Sequence, residues 1–199
     1  MKKIYILVCL LFLFSGCSTT VPAVVKYKIS PIIALEEKQI STCKTKSIKV
    51  SSAFTNSSLM SKDMSYVLGN SKVYEYSESA WLNNPNRAVS REYIKMLRAL
   101  GIYKSVQESK SRSRADLIIE IDLEDFMQYY SEDLKTSYSI VHINLSIIDF
   151  NTSEIISTKT FKSKVNATKL DANGGVKALN TALKNVLSQS AKWFIKGCS

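Results

Sequence analysis

Three consecutive stretches of alternating apolar and polar residues constrain this chain more than any other feature. In Ala115 to Phe126, Leu117, Ile119, Ile121 and Leu123 fall on one side, and Asp116, Glu120, Asp122 and Glu124 on the other. In Tyr138 to Phe150 the inward set is Val141, Ile143, Leu145 and Ile147, with His142, Asn144 and Ser146 outward. Asn151-Thr152-Ser153 is a tight-turn signal leading into Glu154 to Val165, where Ile155, Phe161 and Val165 share a face. Period-two alternation describes a strand buried on one side only, so the short links predict an antiparallel three-strand meander over Ala115–Val165 with one face needing cover.

Two amphipathic helices can supply that cover. Asn84-Pro85 offers a cap with Pro at the first helical position. Val89, Tyr93, Met96, Leu97 and Leu100 then recur at helical spacing, and Gly101 closes the end, giving a helix near Pro85–Leu100. After Gly174-Gly175, the stripe Val176, Leu179, Leu183, Val186, Leu187 and Phe194 stands opposite Lys177, Lys184 and Lys192, giving a second helix near Val176–Lys196. Earlier strand candidates lie at Tyr27–Ile33, Ser47–Val50, Val73–Tyr76 and Tyr103–Val106, with a short helix near Ser61–Leu68. The fold class is α+β: an antiparallel sheet, the meander plus earlier strands, covered on one face by helices.

The first 17 residues point to a compartment. Lys2 and Lys3 form a basic start, and Ile4 to Phe14 is an apolar run shorter than the roughly 20 residues of a membrane-spanning helix, as in a cleaved export signal. Phe14-Ser15-Gly16-Cys17 resembles a bacterial lipobox, in which the Cys thiol receives a diacylglyceryl group. An ordinary secretory signal cut near Gly16 is the alternative. The expected organisation is a signal peptide over 1–16, a lipidated Cys17 with its tether over 17–26, and one domain over 27–199. Two or three acyl chains, unlike one, anchor a protein stably. The anchored domain would hang in the periplasm, and Ser18 after the Cys resembles an outer-membrane rather than inner-membrane address.

Cysteine parity fits an oxidising compartment. Cys9 leaves with the signal and Cys17 is acylated, so Cys43 and Cys198 remain and are expected to pair; two separate thiols are the alternative. Removing Lys2 and Lys3 from the formal charge of +10 leaves about +8, which favours anionic surfaces or acidic partners. Nucleic acid is not an expected partner in the periplasm.

Signals for chemistry are weak. The sole His, His142, sits on a polar strand face with no nucleophile identifiable beside it, so no catalytic residues are assigned and the chain is read as a non-enzyme. Asp116, Glu120, Asp122 and Glu124 have the spacing of any wet strand face, so neither a metal nor a cofactor beyond the lipid of Cys17 is expected. Gly174-Gly175 lacks the Lys-Ser/Thr that completes a phosphate-binding loop. Phe126, Met127, Tyr129 and Tyr130 are a candidate partner surface, with core packing the equal alternative. Lys159, Lys162, Lys164 and Lys169 with Arg112 and Arg114 are either a headgroup-binding patch or scattered solubilising charge. Asp149-Phe150-Asn151-Thr152-Ser153 fits the acceptor of bacterial periplasmic N-glycosylation at Asn151.

An early Ile-Lys-Val strand, then Tyr74-Glu-Tyr-Ser-Glu-Ser-Ala-Trp81 before a Pro-started helix, then Ala115-Asp116 opening a long alternating strand, resembles the ABC-type transport auxiliary lipoproteins, the PqiC-like partners of MCE transporters. The likeness runs from about Tyr27 to Phe194; the Arg that this family tends to place before the Trp is absent here. The resemblance implies a noncatalytic subunit working with a periplasmic MCE-domain protein, an ABC permease and its ATPase to move lipids or other hydrophobic molecules, with a homo-oligomer compatible. A structural lipoprotein that pilots or braces an outer-membrane machine is the competing expectation.

Overall fold

The computed structural model describes residues 22–33 and 42–198. The signal peptide over 1–16, Cys17 and tether residues 18–21 lie outside the described residues. The strands are β1 (Val25–Tyr27), β2 (Ser47–Val50), β3 (Asp63–Leu68), β4 (Lys72–Trp81), β5 (Ser105–Glu108), β6 (Leu117–Tyr130), β7 (Ser137–Asp149) and β8 (Ile155–Asn166). The helices are α1 (Pro85–Leu100) and α2 (Ala172–Lys196). Among the described residues they form an α+β fold with an open eight-stranded sheet and two α-helices.

The long meander organises the sheet. β6 pairs antiparallel with β7 from Leu117↔Asp149 to Tyr130↔Ser137, and β7 with β8 from Tyr138↔Asn166 to Ile148↔Ile155. The other edge of β6 is shared. Its start takes β2 in parallel (Ile48↔Leu117), its end takes β3 in parallel (Tyr66↔Gln128), and between them Phe54 bridges to Asp122. β5 extends the sheet beyond β2, while β4 and then β1 extend it beyond β3. The earlier strands thus include parallel pairings, so the expected antiparallel arrangement holds for the meander and for β3–β4.

Both helices pack on the face bearing Leu117, Ile119, Ile121, Leu123, Val141, Ile143 and Leu145, all buried. α1 ends at Gly101, whose left-handed backbone (φ 61°) lets its N–H donate to the Leu97 carbonyl. α2 begins earlier than the apolar stripe predicts, because the Asp171 carboxylate caps it by accepting the Gly174 N–H at 2.6 Å. Gly175 packs against the Gln128 side chain so closely that a Cβ there would lie 1.8 Å from Gln128 Oε1, so any larger residue would have to displace that buried amide.

The helices meet across a buried Tyr93 hydroxyl, which donates to Ser190 Oγ at 3.0 Å while Ser190 donates to the Val186 carbonyl. Tyr93→Phe removes that donor, and a loss of about 1 kcal/mol is expected in denaturant unfolding.

Cys43 and Cys198 form a disulfide with an S–S distance of 2.05 Å, tying the short 3-10 turn before β2 to the end of α2. The Thr42 N–H and Oγ1 both donate to the Cys198 carbonyl, at 2.8 and 2.9 Å.

Two local expectations are corrected. Ser61–Leu68 is no helix: a 3-10 turn ends at Met60, and Asp63–Leu68 is strand β3, held by β4 on one side and β6 on the other. The first strand covers Val25–Tyr27 rather than Tyr27–Ile33. After the Tyr27 carbonyl accepts the Leu82 N–H, the chain leaves the sheet edge, buries Ile29, and reaches α2, where the Ser30 N–H donates to Asn180 Oδ1 at 2.7 Å.

Candidate interaction surface

A β-bulge decides which side chains the sheet offers. Pairing of β6 with β7 slips between Leu123 and Asp125, so Glu124 is the extra residue and the alternation changes phase. Without the slip Asp125 would enter the core and Phe126 would face out. With it, Phe126, Gln128 and Tyr130 turn inward, while Asp125, Met127 and Tyr129 face away from the helices.

The candidate patch Phe126, Met127, Tyr129, Tyr130 is therefore split. Phe126 and Tyr130 are buried in the core side of the sheet, Phe126 with its ring 5.7 Å from that of Trp81. Tyr130 joins Tyr66 and Tyr76 at the end of the core, its hydroxyl 2.7 Å from that of Tyr76; burial pushes the Tyr76 phenol far above its ordinary range. Met127 and Tyr129 remain on the open face, and the register brings them neighbours the sequence did not show.

One cross-strand row on that face is Val73, Val67, Tyr129 and Tyr138, each opposite the next. Tyr129 and Tyr138 stack at 5.3 Å between centroids, and Lys164 Nζ lies 3.5 Å from the Tyr138 centroid. Behind it, Met127 stands opposite Ile140 and Ile140 opposite Lys164. Tyr129 donates its hydroxyl to Asp125 at 2.6 Å, and burial raises the Asp125 carboxyl above its ordinary value despite that bond. No described helix packs over this face, so it presents half-buried aromatic and aliphatic side chains rimmed by lysine.

His142 is paired rather than solvated: its Nδ1 lies 2.8 Å from Glu124 Oε2, the bulge residue. Asp116 lies just before β6 and Glu120, Asp122 and Glu124 are spread along it, and among the described residues no group of three or more His, Cys, Asp or Glu is placed to hold a metal ion. The basic residues divide as well. Lys162 and Lys164 stand on the open face opposite His142 and Ile140, Lys159 lies near Phe161, and Arg114 borders a cleft with Asn151 at the opposite end of the sheet. Asn151 sits at the exposed β7–β8 turn, its N–H donating to Asp149 Oδ1 at 2.8 Å.

Asp116 has a structural task. Its carboxylate accepts the Ser47 N–H and hydroxyl, both at 2.7 Å, while its own N–H donates to the Ser47 carbonyl at 3.0 Å, locking β2 to the start of β6. Those hydrogen bonds, the backbone one first, hold its pKa below the ordinary 3.8. A depressed carboxyl stabilises the fold above its unfolded pKa and loses that contribution as pH falls through the lower folded value. Asp116→Asn is therefore expected to flatten the fall in melting temperature as the pH drops below the ordinary carboxylate value of about 4.

No family model matches the chain, and no curated protein does. Among solved structures, protein XCC0632 from Xanthomonas campestris, a DUF330 protein, superposes with a TM-score of 0.74 at 13% identity, covering 85% of this chain and 95% of its own. A second, described as uncharacterized, gives 0.66 at 10% identity over 86% of this chain and 99% of its own. These likenesses establish a shared fold. A more distant neighbour is the lipoprotein GNA1162 from Neisseria meningitidis, at TM-score 0.41 and 12% identity, covering 74% of this chain and 99% of its own. Among the described residues no helix is long and apolar enough to cross a membrane.

Proposed function

We propose that this chain is a lipid-anchored periplasmic lipoprotein, tethered through Cys17, that serves as a noncatalytic docking subunit of an ABC/MCE-type system moving lipids or other hydrophobic molecules. The observation that carries the docking role is the open sheet face, where Met127, Tyr129, Tyr138 and Ile140 share an uncovered surface beside Lys164. Aromatic residues and Met are the types enriched where proteins bind one another, and stacked tyrosines supply rigid contact area at low entropic cost. The lipobox-like Cys17 and the order of motifs from Tyr74 to Asp116 support the transport assignment, and the disulfide suits an oxidising compartment.

The test is binding in solution. A Cys17→Ser chain, freed of the anchor, should still bind the periplasmic domain of the MCE partner. Tyr129→Ala with Tyr138→Ala should weaken that binding roughly 30-fold if the pair is worth about 2 kcal/mol, as interface hot spots are. Unchanged affinity, with the fold intact by circular dichroism, would remove this face from the interface.

A further inference from the structure

The geometry points to one end of the domain, built from the β3–β4 turn, the β6–β7 loop and the β8–α2 loop, resting on the phospholipid surface with Leu134 and Leu170 dipping into it. This rests on the reading of Cys17 as the lipid anchor. β1 runs parallel to β4, so the chain preceding Val25 heads toward Lys72 and the β3–β4 turn. Val25 pairs with Ser79, and Trp81, two residues on, reaches the Phe126 ring, so the tether leaves near the level of Phe126 on β6.

Reach then selects the end. Cys17 to Val25, fully extended, spans at most roughly 28 Å. Along β6, the Tyr130 end lies roughly 13 Å from Phe126 and the Leu117 end roughly 30 Å, with the β7–β8 turn farther still. The anchor can bring a bilayer past the Tyr130 end with slack and cannot bring one past the Leu117 end.

The chemistry at the reachable end fits a bilayer surface. Leu134 is 53% exposed at the tip of the β6–β7 loop and holds a left-handed backbone (φ 56°), a conformation that suits Gly or Asn better than Leu. Leu170, 49% exposed, lines a groove shared with Val25, where the tether departs. Around them stand exposed Lys72, Lys135 and Lys169. Among the acidic groups nearby, Asp133 lies 3.5 Å from Lys135, Asp171 caps α2 and Glu132 packs by Gly69, while the exposed Glu78 lines the same groove as Leu170. Lysines around exposed leucines suit phosphate headgroups above acyl chains.

The test uses the full-length lipidated chain in vesicles of phosphatidylethanolamine and phosphatidylglycerol, with an environment-sensitive fluorophore on Leu134→Cys, Leu170→Cys or, at the far turn, Thr152→Cys. Labels at 134 and 170 should shift to the blue and be quenched by aqueous iodide several-fold less than the label at 152. Leu134→Asn, which suits the local backbone, should keep the melting temperature and reduce shielding at position 170. Equal quenching at all three positions on vesicle-bound protein would overturn the orientation while leaving the anchor intact, as would unchanged shielding in Leu134→Asn. Recovery of every variant in the soluble fraction would instead show that the anchor reading fails, and the orientation with it.

Discussion

Replacing Cys17 with Ser is expected to move the chain from the membrane fraction to the soluble periplasm, with loss of anchoring approaching completeness. Each buried methylene contributes about 0.8 kcal/mol, so the two acyl chains of the diacylglyceryl group on the thiol, with a third where the freed amine is also acylated, hold the protein effectively permanently, whereas the domain surface offers only scattered apolar contacts. The domain should fold unchanged, because no contact described in it depends on Cys17. Fractionation with detergent and carbonate washes, and metabolic labelling with a fatty acid, check the result. Envelope integrity should suffer while partner binding survives in solution, which separates tethering from docking. A Cys17→Ser chain still pelleting with membranes after carbonate extraction would show that something other than the thiol lipid holds it.

The second large effect concerns the disulfide. Cys43 and Cys198 are separated by 155 residues, so the bridge closes nearly the whole domain into a loop. In the chain-entropy model that contributes up to about 5 kcal/mol by restricting the unfolded chain, a large part of the roughly 5–15 kcal/mol of a typical domain. Cys43→Ala with Cys198→Ala should therefore lower the denaturation midpoint strongly, with the end of α2 loosening first. Hydrogen exchange would show this as early loss of protection near Trp193–Cys198, because the Thr42 bonds to the Cys198 carbonyl lose their covalent support. Reduction of the wild-type protein should reproduce the effect; an unchanged midpoint would show that packing alone holds the two ends.

The meander and both helices are legible in the sequence because their signals are local: period-two alternation in β6 and β7, helical spacing with Pro85 and Gly101 as punctuation. The exceptions are places where distant partners decide. Met64, Val67 and Leu68 carry a helix-like spacing, yet the segment is a strand because β4 and β6 flank it, and sheet pairing overrides so short a pattern. Residue type alone lets Phe126 and Tyr130 suit a partner surface or the core equally; the extra residue at Glu124 decides for the core by turning both inward. A signal for the bulge is present, since unbroken alternation would bury the Asp125 carboxylate. Tyr138, Ile140 and Val67 join Met127 and Tyr129 only through register, which a single sequence does not reveal. The Cys43–Cys198 pairing is legible by parity, whereas the role of Asp116 requires seeing Ser47 beside it.

The central claim is that a membrane-tethered domain docks an MCE-type transporter, and crosslinking on native membranes with this chain as bait tests it most directly. A photoreactive residue in place of Ile140, on the open face beside the stacked tyrosines, should capture an MCE-domain protein, with the permease and ATPase of the same system co-purifying. The same residue in place of Thr152, at the far turn, should capture it far less. Recovery of a secretin, pilus or cell-wall component in their stead, or of no transporter subunit from cells with normal expression, would contradict the account.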